Sequence, residues 1–539
     1  MIRISNLSVP LSAVDTELRQ AAAHSLGQSV SSILSVKITR WSVDARNKND
    51  VHAVVTLDVE GSWSESDESR MIRRDGQVKR IDPEQPSRPT ILPNRPKPSK
   101  RPLIVGAGPA GLFAALRLAQ AGWEPIIWER GKPVNERAAD VARFQSGGAL
   151  DPQSNVQFGE GGAGAFSDGK LTTGIKDNRR LEVLDTFVEC GAPEEITILA
   201  KPHIGTDRLP GVVARLRERI IELGGSFQYQ TRLTGIQTRN GAVVGARGLR
   251  AMPSSNAVSE SVNIEVDRIL LAVGHSARDT LEMLQDMGIL LQPKPFAVGV
   301  RIEHSQKWLN RAQYGVSNTH PALGAAEYKL AVHLPDGLDV YTFCMCPGGT
   351  VVAAASEAGG VTLNGMSTYA RDGVNANAGL LVGLAENRFG DKPLDGLAYQ
   401  RGLEEAAFRV GGGNYRAPVQ RVGDFLRRVA SRGPGEVAPS YPRGVEWCGL
   451  DECLPGDLVE ALRDGLRRLD RMLPGFAQAD AVMTAVESRS SSPVRIVRDA
   501  GYQVSVKGLF AAGEGAGYAG GIVSAAVDGL RAAESILRQ

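Results

Sequence analysis

The sequence predicts an α/β protein: a parallel-sheet, Rossmann-like domain, an α+β domain inserted into it, and a small α+β domain ahead of both. Three observations predict this. Residues 101–130, RPLIVGAGPAGLFAALRLAQAGWEPIIWER, read as strand, glycine turn, helix and strand. A second glycine-rich strand-to-helix passage, GLFAAGEGAGYAGGIVSAAVDGL, occupies residues 508–530. Residues 1–80 alternate as a short βαββ unit that a proline-rich stretch separates from the rest of the chain.

In the first unit, Ile2–Leu7 is a predicted strand and Asp15–Leu26 a helix. Ile33–Asp44 and Val51–Glu60 alternate as strands around the polar turn Ala45–Asp50. The expected domain, 1–82, is ferredoxin-like in shape and holds no iron–sulfur cluster, since it contains no cysteine. Pro83–Pro102 carries Arg88, Arg95, Lys97, Lys100 and Arg101. The linker 83–100 is expected to be extended and solvated; an arm for RNA or another anionic partner is the alternative.

The nucleotide-binding domain is expected to start at 101 and run to about 280. Leu103–Val105 is its first strand, a helix follows to about Ala121, and Pro125–Trp128 is the second strand. This is the Rossmann-like layout. Gly106 permits the tight turn. Gly108 lets a pyrophosphate approach the backbone, and Gly111 lets helix and strand pack closely. Pro109 and Ala110 open the helix, whose unpaired N–H groups favour phosphate. Glu129, beside Arg130, is placed to accept hydrogen bonds from ribose hydroxyls. Ile269–Val273, ending in Gly274, is a further buried strand, and His275 comes directly after that turn.

The C-terminal passage resembles the large FAD-binding oxidoreductase class. Leu509–Ala512 ends in Gly513-Glu514, and Gly520-Gly521 opens a helix of small residues. The resemblance implies Glu514 on the ribityl chain and Gly521 and Ile522 at the flavin pyrimidine edge, where negative charge appears on reduction. Glu in the first role, with a downstream Gly-Gly, looks like the fumarate reductase and succinate dehydrogenase branch. Phe227–Ile236 is similar to the strand whose backbone meets the adenine, near Leu233.

Val156–Thr173 (VQFGEGGAGAFSDGKLTT), Lys201–Gly211 (KPHIGTDRLPG), Cys344–Gly349 (CMCPGG) and Glu487–Ile496 (ESRSSSPVRI) sharpen the resemblance. Together they resemble a family of bacterial uncharacterised FAD-dependent dehydrogenases, of the NAD(P)/FAD-dependent oxidoreductase type with an FAD-dependent protein C-terminal domain. The likeness covers nearly the whole chain and implies FAD and a redox role. NAD(P)H is a candidate transient electron donor, without a second dinucleotide fingerprint to bind it as a resident cofactor.

The inserted substrate or cap domain is expected at 281–499, with the nucleotide-binding domain closing over 500–539. Its predicted strands are Phe296–Glu303, Glu327–Leu334, and a hairpin of Val340–Cys346 with Thr350–Ser356 turned by Pro347-Gly348-Gly349. Its helices are Leu394–Val410 and Asp457–Met472.

The candidates for chemistry are few. Gly161, Gly162 and Gly164 lie in a run dense in backbone donors that can wrap a flat ring, with Lys170 a candidate charge beside it. His203 is the candidate acid/base, with a structural imidazole as the alternative. Arg489 and Arg495 carry guanidinium groups that can hold a carboxylate bidentately; the fumarate reductase branch supplies only an analogy for proton delivery, and a strand whose arginines pair with acidic neighbours is the alternative. Cys344 and Cys346 fall on one face of a predicted strand, either exchanging electrons with flavin or packing as buried side chains. Cys190, Cys448 and Cys453 show no metal spacing, so no metal is expected.

The chain has 539 residues, 42% hydrophobic and 23% charged, enough to bury a large core in two or three domains. Its formal charge of +2 gives no nucleic-acid signature. Five cysteines argue against a disulfide framework. No signal peptide and no apolar run of about 18 residues is evident, so a cytoplasmic protein without a membrane span is expected. A small-molecule substrate is the expected partner, not nucleic acid. The expected function is an FAD-dependent oxidoreductase with hydride transfer at flavin N5. A flavin-dependent RNA-modifying or RNA-binding protein and a non-catalytic flavin-binding regulator are the alternatives.

Overall fold

A computed structural model describes residues 1–81, 96–251, 259–316 and 320–539. Most of the proline-rich segment, with Arg88 and Arg95, lies outside these. At its described end, Lys97 pairs with Glu124 at 2.6 Å and Lys100 with Glu265 at 3.1 Å on the surface. Arg101 donates to the Glu124 carbonyl at 2.6 Å.

Residues 1–81 form a four-stranded antiparallel sheet ordered Ile33–Asp44, His52–Gly61, Ile2–Val9, Val78–Arg80. Two helices, Asp15–Leu26 and Glu65–Arg74, join its strands. The order is that of a ferredoxin-like βαββαβ unit. Alternation along His52–Gly61 places Ala53, Val55, Leu57 and Val59 inside, where they meet Leu18, Ala22 and Leu26. The last helix and strand escaped the sequence reading because Glu65–Arg74 buries only Met71 and so lacks an apolar stripe. The unit touches the next domain where Trp41 exchanges backbone hydrogen bonds with Ile198 and Ala200, at 2.8 and 2.9 Å.

The domain expected to bind the nucleotide is built on five parallel strands in the order Leu509–Ala511, Ile269–Leu271, Leu103–Val105, Ile126–Trp128, Ser226–Gln228. Every residue of the three central strands is buried, because helices cover one face and the strands that include Leu233, Ile236, Val243 and Ala246 pack on the other. Helices Pro109–Gln120 and Ile522–Arg538 pack on one face. They come close together at Gly529, where an added Cβ would meet the Ala110 carbonyl oxygen at 2.0 Å. The expected strand Phe227–Ile236 is two strands. Ser226–Gln228 edges the parallel sheet, and Thr231–Arg239 leaves it for an antiparallel meander with Ala242–Ala251 and Ser259–Ile264. Gln230, with φ +51°, makes the break.

The inserted domain is a seven-stranded sheet ordered Ala331–His333, Asp339–Cys346, Asn375–Leu384, Phe296–Ser305, Val482–Glu487, Ala417–Arg421, Val445–Trp447. The helix Gly456–Met472 packs its apolar side against this sheet, Gly465 lying over Val340. The predicted hairpin across Pro347-Gly348-Gly349 does not form. Asp339–Cys346 pairs with Asn375–Leu384, whereas Thr350–Ala353 pairs with Leu363–Met366 in a separate ribbon. Of the predicted strand Glu327–Leu334, only Ala331–His333 is regular. No helix among the described residues is long and apolar enough to cross a membrane.

Candidate functional site

The parallel sheet decides where a site can form. The carboxyl ends of its strands, at Val105, Trp128, Ala272 and Ala512, open into one cavity of about 270 Å³. Open α/β sheets bind ligands at this end. The inserted domain supplies the opposite wall, with Phe343, Cys344, Leu363, Asn364, Glu487 and Arg489.

Glu129 organises the entrance. It is 5% exposed, and its carboxylate accepts from Ala107 N at 2.8 Å, Gly131 N at 2.9 Å and Gly159 N at 3.0 Å. A carboxylate has about four acceptor positions, so one remains for a ribose hydroxyl. Glu129 therefore does more than the sequence suggested: it ties three loops together at the cavity. Arg130 also lines the cavity, but its guanidinium is held by Asp279 at 2.8 Å and stacks 4.2 Å above the Phe158 ring.

The glycine-rich loop is shaped by a residue that sequence reasoning missed. Arg137 has no exposed surface and donates to five carbonyls, of Asn155, Val156, Gly159, Glu160 and Gly162, at 2.7 to 3.2 Å. Burial lowers its pKa to about 10, and Glu129 and Glu160 oppose that shift. A guanidinium with five N–H donors is the side chain that can collect so many carbonyls. The usable signal was an arginine inside the amphipathic run 134–145 next to a loop rich in carbonyls. Glu160 is buried under the same loop, accepting from Val134 N at 2.7 Å, Arg217 at 2.8 Å and the Tyr229 hydroxyl at 2.7 Å.

All the predicted cofactor residues except Gly111 and Gly161 line the cavity. Gly111 packs behind it, where a Cβ would lie 1.9 Å from the Gly106 carbonyl oxygen. Gly161 turns its N–H to the Ala107 carbonyl at 2.8 Å and faces Ala165 and Val213. Leu233 keeps its place in the wall although its strand differs from the predicted one.

Lys170 lines the cavity, with its amine 3.3 Å from Glu327 and 3.9 Å from Asp168. Asp168 is fully buried; burial pushes its pKa up, but Arg371 and Lys170 prevail and hold it low. His203 is not in the wall. Its Nε2 meets the Tyr369 carbonyl at 2.9 Å and its ring stacks on Tyr369. Burial and the Arg371 charge lower its pKa. The acid/base expectation for His203 is corrected on position: it lies outside the cavity wall, with Nε2 occupied by the Tyr369 carbonyl.

Arg489 reaches the wall, yet it is not a free carboxylate clamp. It forms a two-pronged pair with Glu404, at 2.9 and 2.7 Å, and bonds Ser356 at 2.5 Å. Arg278 grips the same Glu404 at 2.8 and 3.0 Å, and the carboxyl is held far below the usual carboxylate range. Arg495 stays outside the cavity, 5.2 Å from the Tyr518 ring centre. His275 lines the wall with Nδ1 3.6 Å from Glu514, and its buried Nε2 has no partner among the described residues.

The residues present fit a dinucleotide carrying a flavin. Gly108 and Gly162 face each other, and a Cβ on Gly162 would stand 3.1 Å from the Gly108 Cα. A Cβ on Gly274 would meet nothing within 4 Å. Backbone thus lines the cavity without side chains filling it. Helices Pro109–Gln120 and Ile522–Arg538 both begin at this wall, and first-turn N–H groups have no partner within a helix. Asp528, from the second helix, accepts from Gly513 N at 2.7 Å and pairs with Arg498 at 2.8 Å, fixing the Gly513-Glu514 turn. No group of three or more metal-ligating side chains is assembled among the described residues.

Residues 295–490 match the family described as FAD-dependent protein, C-terminal domain-like. Residues 1–60 match a domain of unknown function. The whole chain is 45% identical, over 99% of its partner's length, to an uncharacterised protein of Clostridium beijerinckii. A shorter match, 25% identical over 34% of this chain and 57% of the other, is to thiamine thiazole synthase of Aeropyrum pernix. Among solved structures, the flavin-dependent brominase Bmp2 is similar over 81% of this chain and 79% of that one, at 12% identity and a TM-score of 0.36. A mutant of the E. coli quinol fumarate reductase FrdA is similar over 81% and 70%, at 13% identity and the same TM-score of 0.36. Likenesses that weak decide nothing. The full-length identity and the matched domain do: this chain belongs to the family of FAD-dependent proteins that carries this C-terminal domain.

Proposed function

We propose that the protein is an FAD-dependent oxidoreductase acting on a small molecule held between the cofactor and the inserted sheet. The observation that carries this is convergence: two helix N-termini, the Arg137-held glycine loop and the carboxyl ends of the parallel strands meet in one cavity closed by the inserted domain. FAD bound there would supply hydride exchange at N5.

The chain's own residues bind, orient and shield. The start of Pro109–Gln120, with Gly108, receives the pyrophosphate. Glu129 offers its remaining acceptor position to the adenosine ribose, and Glu514 faces the ribityl chain. The start of Ile522–Arg538 directs N–H groups at a site where negative charge develops, which favours reduction. Phe343 and Leu363 exclude water from the opposite side. NAD(P)H serves as a transient donor, entering and leaving rather than residing. Neither RNA nor another polyanion is needed by this reading.

The test is cofactor content. The purified protein should release FAD, not FMN, at one per chain. Gly108→Val should give folded protein without flavin, because the new side chain stands where phosphate belongs. A folded Gly108→Val protein with full flavin occupancy sinks the assignment. Anaerobic addition of NADH or NADPH, with the flavin spectrum followed, tests the donor.

A further inference from the structure

The inserted sheet carries a cluster that cofactor binding does not use. Arg301 sits in the strand Phe296–Ser305 with no exposed surface. It donates to Asn377 at 2.9 Å, to Glu487 at 2.8 Å and to the Cys344 carbonyl at 2.6 Å, and it lies 3.7 Å from Cys346 Sγ. Cys346 Sγ also meets the Cys344 carbonyl at 3.3 Å. Cys344 and Glu487 line the cavity wall; Cys346 is completely buried behind them.

A regular strand would hold two cysteines two residues apart at roughly 6.6 Å, parallel and wide for a relaxed disulfide. This strand is not regular. Its register slips between Phe343 and Cys346, and Cys344 has φ +40°. A bulge re-aims a side chain, and here Cys346 Sγ turns back to within 3.3 Å of the Cys344 carbonyl instead of lying a full strand repeat away. The neighbouring Cys346 thiol and the Arg301 and Lys170 charges draw the Cys344 pKa down, against burial and Asp168. The same contact and burial push Cys346 well up. Position divides the pair: Cys344 opens into the cavity, where a small disulfide can reach it, and Cys346 is buried behind it.

We propose that Cys344 and Cys346 form a redox-active dithiol in the cavity wall, oxidised by a small-molecule disulfide. The Cys344 thiolate attacks one sulfur of the disulfide, forming a mixed disulfide and expelling the first thiolate. Cys346 then attacks Cys344 Sγ, closing the Cys344–Cys346 bond and expelling the second. The Cys346 proton ends on one of the two released molecules. Two electrons leave the cysteine pair and reduce the S–S bond of the oxidant, so atoms and charge balance. The cluster consists of protein side chains alone and is testable whether or not the cofactor reading holds.

The experiment uses the protein as purified, with its flavin content measured on the same sample. It is reduced, freed of reductant, treated with 2-hydroxyethyl disulfide, quenched in acid, digested and weighed by mass spectrometry. The expected product is a peptide two hydrogens lighter joining Cys344 to Cys346. Cys346→Ser should stop at a mixed disulfide on Cys344, and Cys344→Ser should give neither product. In wild-type protein, iodoacetamide at neutral pH should label Cys344 roughly tenfold or more faster than Cys190, Cys448 and Cys453, because Cys344 opens into the cavity and those three are buried. Folded, flavin-replete wild-type protein whose Cys344 forms neither adduct nor disulfide overturns the proposal while leaving the cofactor reading intact. Protein without flavin that still closes the bond supports the dithiol and counts against the cofactor reading alone. Wild-type protein suffices for the decision even if a variant misfolds.

Discussion

Single residues in this cavity are defined by their partners more than by their type. Glu129 is expected to matter twice, for ribose and for three backbone N–H groups. Hydrogen bonds to a charged acceptor contribute about 1.5–3 kcal/mol each, so Glu129→Ala should lower the thermal midpoint and weaken FAD binding by tenfold or more; unchanged values for both in a titration and a melt would refute its role. Glu487 gives a pH signature. Burial, partly offset by Arg301, raises its pKa to about 7. Its unfolded value is near 4.3, so between about pH 4.5 and 7 the native state binds the extra proton. A group raised in this way stabilises the fold at low pH and loses that contribution as pH rises through 7. Glu487→Gln should therefore flatten the fall in thermal midpoint between those pH values, and melts at several pH values read it directly. Arg489 teaches the converse lesson. Its sequence setting suggested a substrate clamp, yet its guanidinium is already committed to Glu404.

At the scale of elements, the two helices of the nucleotide-binding domain come together because glycine allows it. A Cβ at Gly529 would press on the Ala110 carbonyl. Gly529→Ala should push Ile522–Arg538 away from Pro109–Gln120 and cost about 1–3 kcal/mol, the range for overpacking a tight contact. Flavin retention should fall with it, since both helix starts form the cavity. Denaturant unfolding with flavin release followed in parallel checks this; full stability would show that the contact is loose. The glycine loop depends equally on one side chain. Arg137→Lys keeps the charge but loses the fork that bridges five carbonyls. It should release flavin more readily than wild type on dilution, and an unaltered off-rate would show that Arg137 does not hold the loop in its binding shape.

For the whole molecule, the domains contribute unequally. No residue of 1–81 lines the cavity, and the contact through Trp41 is a short backbone bridge. A chain beginning at Ser99 should therefore bind FAD at one per chain. A soluble, folded truncation that cannot bind it would show that the small domain supports the site. The inserted domain is bound differently. Arg278 of the nucleotide-binding part and Arg489 share buried Glu404, so the wall opposite the cofactor is anchored by paired charges across the domain boundary. Removing one partner of such a set leaves uncompensated charge in the interior and is costly.

What the sequence determined by itself is local. The glycine turn at 106–111, the strand Leu103–Val105, the helix Asp15–Leu26 and the Gly513-Glu514 passage each announce themselves within a few residues, because backbone freedom, capping and alternation act over short spans. Their meeting in one cavity follows from the parallel order that βαβ connections impose. Tertiary structure decided the rest. Thr350–Ala353 left its neighbour for Leu363–Met366, and Cys344 turned at a bulge, because pairing depends on what strands distant in sequence offer. Charge partners were equally hidden: Arg301 finds Glu487 and Arg489 finds Glu404 across many residues of chain. An ionised side chain cannot stay buried alone, so the sequence could show that Arg489 needed a partner, while only the folded chain could choose it.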